Sequence, residues 1–135
     1  MIDIDVARRL QAAGLPWEPA DGDWFVIDNA ELRDEHFMLS SMVIERGVGR
    51  AGGELFRFNG TTEWALDSVE QHEALWIPRA DQLLTALGAA FRALARGADG
   101  TFTVSFGPAG AEPREVRAPA AEDALAGALL VHLTD

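Results

Sequence analysis

Cysteine is absent from the sequence, which excludes disulfides, thiolate nucleophiles and cysteine-ligated zinc or iron–sulfur centres. Lysine and tyrosine are absent too, and this bias, together with abundant alanine and glycine, indicates a GC-rich bacterial genome. No apolar stretch approaches the ~20 residues that a membrane span requires. The opening MIDIDVARRL lacks the basic and apolar regions of a signal peptide, so we expect a cytoplasmic protein.

Positive charge is also scarce, and the net charge is −11. Two stretches carry nearly all of it: residues 18–35 have a net charge of −6 and residues 63–73 have a net charge of −4. Nucleic acids and anionic membranes are bound through Lys and Arg, so we expect neither as a partner. Each acidic stretch is either a solvated face that favours solubility or a surface that attracts a basic partner.

The length and composition are those of a soluble globular domain. Hydrophobic residues make up 48% of the chain and charged residues 24%, both close to the averages for such proteins. A chain of 135 residues can form a substantial core without dividing, so we predict one domain over residues 1–135.

Apolar periodicity predicts both helices and strands. The predicted helices cover residues 3–13 and 80–96 and a last segment that begins near Pro119. The predicted strands are Trp24–Ile27, His36–Glu45, Leu75–Ile77, Thr101–Phe106 and Glu115–Arg117. Because hairpins rather than βαβ units link the strands, we expect an α+β fold: an antiparallel β-sheet built from hairpins, with about three helices packed on one face.

Two connections are less regular. The four glycines between Gly47 and Gly53 predict a loop. Asn59-Gly60 is the favoured pair for a two-residue type I′ turn, which predicts a hairpin over residues 54–65. The alternative is a helix that begins after Thr61 or Thr62, with Glu63, Asp67 and Glu70 along one face.

Motifs that would identify a reaction are missing. The sequence has no Walker A loop, no dinucleotide-binding glycine fingerprint, no HExxH and no GxSxG, so we predict no cofactor and no catalytic or metal-ligating residue. Histidine is the best remaining candidate for proton or metal chemistry. His132 lies on the apolar stripe of the last helix and is expected to be partly buried, whereas the positions of His36 and His72 beside acids favour surface or structural roles over metal binding.

Four tryptophans, Trp17, Trp24, Trp64 and Trp76, lie next to turns or strand boundaries. Such positions favour half-buried packing at the edge of a core. Exposure of two or more of them together would instead indicate a protein-binding surface.

One long segment carries a resemblance. The run FNGTTEWALDSVEQHEALWIPRADQLLTALG (residues 58–88), with VARRLQAAGLPWEPADGDWFVI (residues 6–27), resembles a family of small uncharacterised actinobacterial proteins. The resemblance covers roughly the first two-thirds of the chain, and TTEWALDSVEQ is its most distinctive part. Members of that family often carry the name of a CpaE-type pilus-assembly protein. The resemblance implies no particular activity, cofactor or catalytic residue.

The clustered charge and the lack of catalytic motifs favour a non-catalytic protein-interaction or regulatory module, acting on an unknown protein partner or as a homodimer. The predicted interaction surface consists of Glu63, Trp64, Asp67, Glu70, His72, Glu73 and Trp76. One alternative is a small enzyme or ligand-binding protein with a pocket of tryptophan and carboxylate side chains around residues 63–76. Another is an acidic inhibitor or immunity-like protein, which would have a strongly basic partner.

Overall fold

A computed structural model describes residues 1–27, 35–39, 44–48, 54–58, 68–70 and 74–135. Within these ranges the chain divides into two compact units, one formed by Met1–Pro16 with Pro78–Asp135 and the other by Trp17–Ile77. Three α-helices and three three-stranded antiparallel sheets occur in the described residues, so the predicted α+β class with antiparallel strands is confirmed. The strands are shared among three sheets.

The first unit begins with α1, Ile4–Ala12, whose Ala7 and Leu10 are buried. Gly14 has a φ of 95°, and this left-handed conformation, which glycine adopts without strain, ends the helix. The Gly14 N–H donates to Gln11 O (3.0 Å) and the Leu15 N–H donates to Leu10 O (3.1 Å). These two bonds form a Schellman motif, so the prediction that Gly14 closes this helix is confirmed.

The second predicted helix is wrong beyond its first half. α2 covers Ala80–Leu87 and is followed by a 3₁₀ turn, Gly88–Ala90, and then by strand β7, Phe91–Arg96. Gly88 has a φ of 55°, which an α-helix cannot contain. The strand forms because the next strand along the chain, β8 (Phe102–Phe106), provides a hydrogen-bonding partner, and this tertiary pairing overrides the helical propensity of FRALAR.

A tight turn joins β7 to β8. The Gly100 N–H donates to Gly97 O (3.0 Å), the Gly97 N–H donates to Thr101 O (2.8 Å), and Gly100 has a φ of 85°. This is a three-residue hairpin loop with a glycine in the left-handed position. The Thr101 N–H also donates to Asp99 Oδ1 (2.9 Å), and this bond holds the pKa of the Asp99 carboxyl below its usual range.

Helix α3, Ala121–Thr134, covers the sheet of the first unit. The sheet has the order β7-β8-β9, where β9 is Arg114–Ala118, and α3 packs on β8 and β9 and also contacts α1 and α2. Leu125 and Leu129 of α3 are buried, as are Val104 and Phe106 of β8. The predicted final helix, strand β8 and returning strand β9 are therefore confirmed, and Pro119 lies two residues before the helix begins.

The second unit contains β1, Trp24–Ile27; β2, His36–Met38; and β6, Ala74–Ile77, in the sheet order β2-β1-β6. Its core consists of Phe25, Ile27, Leu39 and Ala74, with Trp17 and Phe37 packed against it. Strands β1 and β6 confirm the predictions for those segments.

A separate sheet of this unit has the order β3-β4-β5. Its strands are β3, Ile44–Val48; β4, Glu54–Phe58; and β5, Ser68–Glu70. The single strand predicted over His36–Glu45 is wrong, because β2 ends at Met38 and pairs with β1, whereas β3 pairs with β4. Gly47 lies in β3, so the predicted glycine-rich loop begins later; residues 49–53 lie outside the described ranges.

The predicted hairpin over residues 54–65 is only partly described. Strand β4 does pair antiparallel with a segment beyond Asn59-Gly60, and that segment is β5, with Arg57 opposite Ser68. The predicted turn at Asn59-Gly60, and the alternative helix after Thr61, both lie outside the described residues.

Candidate functional site

The structure describes only a small part of the predicted interaction surface. Glu70 is the last residue of β5, opposite Leu55 of β4, and Trp76 lies in β6. The other members of that surface lie outside the described residues: Glu63, Trp64, Asp67, His72 and Glu73. The surface around residues 63–76 therefore stays a prediction.

Trp76 packs against another tryptophan. Its ring stacks on Trp17 with centroids 6.1 Å apart and an interplanar angle of 6°, and Trp17 also lies 6.2 Å from the Phe25 ring. The Trp76 Nε1–H is buried and has no acceptor among the described residues. Trp17, Trp24 and Trp76 are all half-buried, which agrees with packing at the edge of a core.

A buried carboxylate fixes the turn in front of β1. Asp23 is 3% exposed, and its Oδ2 accepts hydrogen bonds from Trp17 Nε1 (2.9 Å) and from the Ala20 N–H (3.0 Å). The main chain of Asp23 is also held, since the N–H of Leu39, the residue after β2, donates to Asp23 O (2.8 Å). Both side-chain bonds lie within residues 17–23, so they hold the carboxylate in the turn that precedes β1.

The two histidines that the structure describes are both exposed. For His132 the prediction of partial burial is wrong: the stripe on which it lies is buried at Leu125 and Leu129, but His132 itself is exposed. No three histidine, aspartate or glutamate side chains within the described ranges converge to form a metal site. His72 falls outside those ranges.

A shallow groove of about 500 Å³ runs between α1 and α3. It is lined by Arg9, Ala12, Ala13, Leu130, Val131 and Thr134. Its floor is formed by small or aliphatic side chains, and it holds one cation and one hydroxyl but no acid or base. A groove with this lining can contact an apolar group.

The most distinctive surface of the first unit is the free edge of β7. In the part of the chain that the structure describes, β7 pairs with β8 on one side and with no strand on the other. The five residues from Arg92 to Arg96 are all exposed, although the strand belongs to a sheet with a buried face. Leu94 is 38% exposed because α3 packs over β8 and β9 and does not extend over β7.

The hydrogen bonds of the β7–β8 hairpin indicate which main-chain groups face that edge. Gly97 and Thr101 form a hydrogen-bonded pair next to the turn. Because hydrogen-bonded and non-hydrogen-bonded pairs alternate along an antiparallel ladder, Ala95 bonds to β8, whereas Leu94 and Arg96 direct their N–H and C=O groups outward. The free edge of β7 therefore presents two sets of main-chain donors and acceptors.

A bulge interrupts the ladder at the start of β7. The register passes from Phe91 opposite Phe106 to Ala93 opposite Ser105, so Arg92 is the extra residue. The Arg92 guanidinium donates to Pro108 O in the loop between β8 and β9. Bulges and arginines on an edge strand are features that restrain pairing with the edges of other sheets.

The charge around this sheet differs from that of the rest of the protein. Residues 91–118 hold four arginines (Arg92, Arg96, Arg114 and Arg117) and three acids (Asp99, Glu112 and Glu115), a net charge of +1. Because the whole chain has a net charge of −11, the residues outside 91–118 together carry −12. Arg114 is ion-paired with Asp135 and its guanidinium lies over the Phe106 ring, but no carboxylate of the described residues pairs with Arg96.

No protein-family model, curated protein or solved structure matches this chain. Among the described residues, no helix has the length and apolar character needed to cross a membrane. The β7 edge was missed at the sequence level because FRALAR continues the apolar stripe of α2. The signal that could have identified it is Asp99-Gly100 directly before TFTVSF, since an Asp-Gly pair in front of a β-rich run indicates a hairpin whose first strand precedes the turn.

Proposed function

We propose that the protein is a non-catalytic protein-interaction module that binds an extended segment of a partner by strand addition at β7. The observation that carries this proposal is the open edge of β7, with its exposed residues and outward main-chain groups. The lack of catalytic motifs and the acid- and base-free lining of the α1/α3 groove support a non-catalytic role.

Strand addition suits this edge on physical grounds. An added strand satisfies the outward N–H and C=O groups of Leu94 and Arg96, and these main-chain bonds provide affinity with little dependence on sequence. The bulge at Arg92 makes a long, flat sheet edge a poor partner, but a single flexible strand can follow the local twist. The edge therefore favours a peptide segment over the sheet of a folded protein.

Selection from a displayed library of random ten-residue peptides tests this proposal. We expect the selected peptides to shift the amide NMR signals of β7, and alternate N-methylation of the peptide main chain to abolish binding, because the methyl groups remove its hydrogen-bond donors. The matched control is the same peptide N-methylated at the intervening positions, whose N–H groups would point away from β7. Peptides that shift only α1 and α3, or that tolerate both methylation patterns, would contradict the proposal.

A further inference from the structure

Charge distinguishes the β7 edge from the rest of the protein. Strand β7 carries Arg92 and Arg96 and no acid, in a chain whose net charge is −11. An added strand would lie directly beside these two cations, because opposing residues on neighbouring strands approach to about 4.5–5.5 Å. The edge is therefore positive at close range, although the protein as a whole is negative.

We propose that the segment added at β7 is acidic and amphipathic, with an apolar side chain opposite Leu94 and a carboxylate opposite Arg96. This proposal rests on the proposed function and names its partner chemistry. Leu94 and Arg96 are two residues apart, so their side chains lie on the same face of the strand. An added strand with an apolar residue and an acid two residues apart, and therefore on one face, would match both of them at once.

The register of the sheet defines that face. Leu94 is opposite Val104 and Arg96 is opposite Phe102, so both lie on the face of the sheet that carries the buried Val104. Helix α3 covers this face at β8 and β9 but not at β7. An apolar side chain of an added strand would therefore cover Leu94 and extend the buried face by one strand.

Arg96 is the cation available for recognition. Arg92 already donates to Pro108 O, whereas Arg96 pairs with no carboxylate of the described residues. A carboxylate opposite Arg96 would form an opposite-charge cross-strand pair, and a lysine there would create a repulsive one. The edge thus selects an acidic segment and disfavours a basic one.

Pairing of β7 with a second copy of itself in the register centred on Leu94 is disfavoured by the same charges. An antiparallel pair centred on Leu94 would place Arg92 of each copy directly opposite Arg96 of the other. Like charges in directly opposed positions destabilise a strand pair, and here they would occur twice. The occupant we propose is therefore a segment of a different, acidic chain.

Three peptides with fluorescein on the N-terminus and an amidated C-terminus test the inference: (Thr-Val-Thr-Glu)₂, which places Val and Glu alternately on one face, and the same peptide with Gln or with Lys in place of each Glu. Fluorescence anisotropy with the full-length protein measures the affinity of each. We expect the glutamate peptide to bind most tightly and the lysine peptide least tightly. The preference should fall as salt rises from 50 to 500 mM, because exposed charges are screened.

Two charge reversals locate the effect. Arg96→Glu removes an attractive pair and adds a repulsive one, so we expect it to weaken binding of the glutamate peptide roughly 5- to 30-fold. Arg117→Glu makes the same charge change on β9, at the opposite edge of the sheet, and is expected to change the affinity less than about twofold at 150 mM salt. Binding of the glutamine peptide should respond little to either substitution.

The outcomes separate this inference from the proposed function. If the glutamine or lysine peptide binds at β7 as tightly as the glutamate peptide, strand addition stands and the acidic partner is excluded. If none of the three peptides shifts the β7 amide signals, both proposals fail. A dimer in light scattering that Arg96→Glu strengthens would assign the edge to a second copy and overturn the acidic-partner inference.

Discussion

Replacement of Gly127 by alanine tests how closely α3 packs on β9. A Cβ at position 127 would lie 2.8 Å from Val116 Cγ1, although carbon atoms in ordinary contact are about 3.5–4.0 Å apart. The side chain of Val116 is β-branched and stiff, so it cannot move aside by a simple rotation. Either α3 or β9 must shift to accommodate the new methyl group.

Two opposing effects set the expected magnitude. In an unhindered helix, Gly→Ala stabilises the protein by about 1 kcal/mol. Forcing an extra methyl into a packed contact costs about 1–3 kcal/mol. We therefore expect Gly127→Ala to leave the free energy of unfolding unchanged or to lower it by up to about 2 kcal/mol in the wild-type background. In a Val116→Ala background the clash disappears, and the same substitution should stabilise by about 1 kcal/mol.

Urea denaturation of the wild type, both single variants and the double variant measures this double-mutant cycle. The expected coupling free energy is about 1–3 kcal/mol, with a change in sign of the Gly127→Ala effect between the two backgrounds. If Gly127→Ala stabilises both backgrounds equally, α3 does not approach β9 at this position and the packing described for the first unit is incorrect.

Three further substitutions follow from local contacts. Trp17→Phe removes the indole donor to Asp23 and is expected to lower the free energy of unfolding by about 1–3 kcal/mol. Trp76→Phe breaks no hydrogen bond within the described residues, so it should lower that free energy by less. Urea denaturation measures both, and equal effects would contradict the bond between Trp17 and Asp23. Gly88→Ala places a side chain at φ 55° and ψ −130°, a conformation that residues other than glycine rarely adopt, and should lower stability by about 1–3 kcal/mol. A rise in helicity by circular dichroism without that loss would show that the helix can continue into β7. Asp99→Ala should destabilise the protein at pH 7. Because folding lowers the pKa of Asp99, the difference in the free energy of unfolding between variant and wild type should be constant above a pH near 3.8 and should diminish as the pH falls through the lowered pKa. A difference that is independent of pH would exclude the charge of Asp99 as its cause.

The sequence predicts those parts of the fold whose signals are local. Gly14 ends α1 because a left-handed residue is needed there, and glycine at the end of an apolar stripe identifies such a position. TFTVSF forms β8 because its β-branched and aromatic residues suit a strand. Neither feature depends on a distant segment.

Errors occur where a distant partner decides the structure. Phe91–Arg96 has good helix formers and continues the stripe of Leu83 and Leu87, yet it is a strand because β8 pairs with it. The strand predicted over His36–Glu45 is divided because its two ends pair with different neighbours. Single-sequence patterns contain no information on such pairings.

The candidate site shows the same limit. The sequence prediction selected residues 63–76 by their charge and aromatic content, and the structure describes only Glu70 and Trp76 of its members. Whether an edge such as that of β7 is open depends on what covers it, and the coverage by α3 is a property of tertiary packing. Composition alone could indicate a surface but not the free edge of a strand.

Amide hydrogen exchange of the protein, measured by NMR with and without saturating acetyl-(Thr-Val-Thr-Glu)₂-amide, tests the central claim most directly. Strand addition at β7 predicts slower exchange of the Leu94 and Arg96 amides, which face the free edge, with little change at Ala95, which already bonds to β8. Slower exchange confined to α1, α3 or the second unit, or no change at Leu94 and Arg96 while the peptide is bound, would contradict the account.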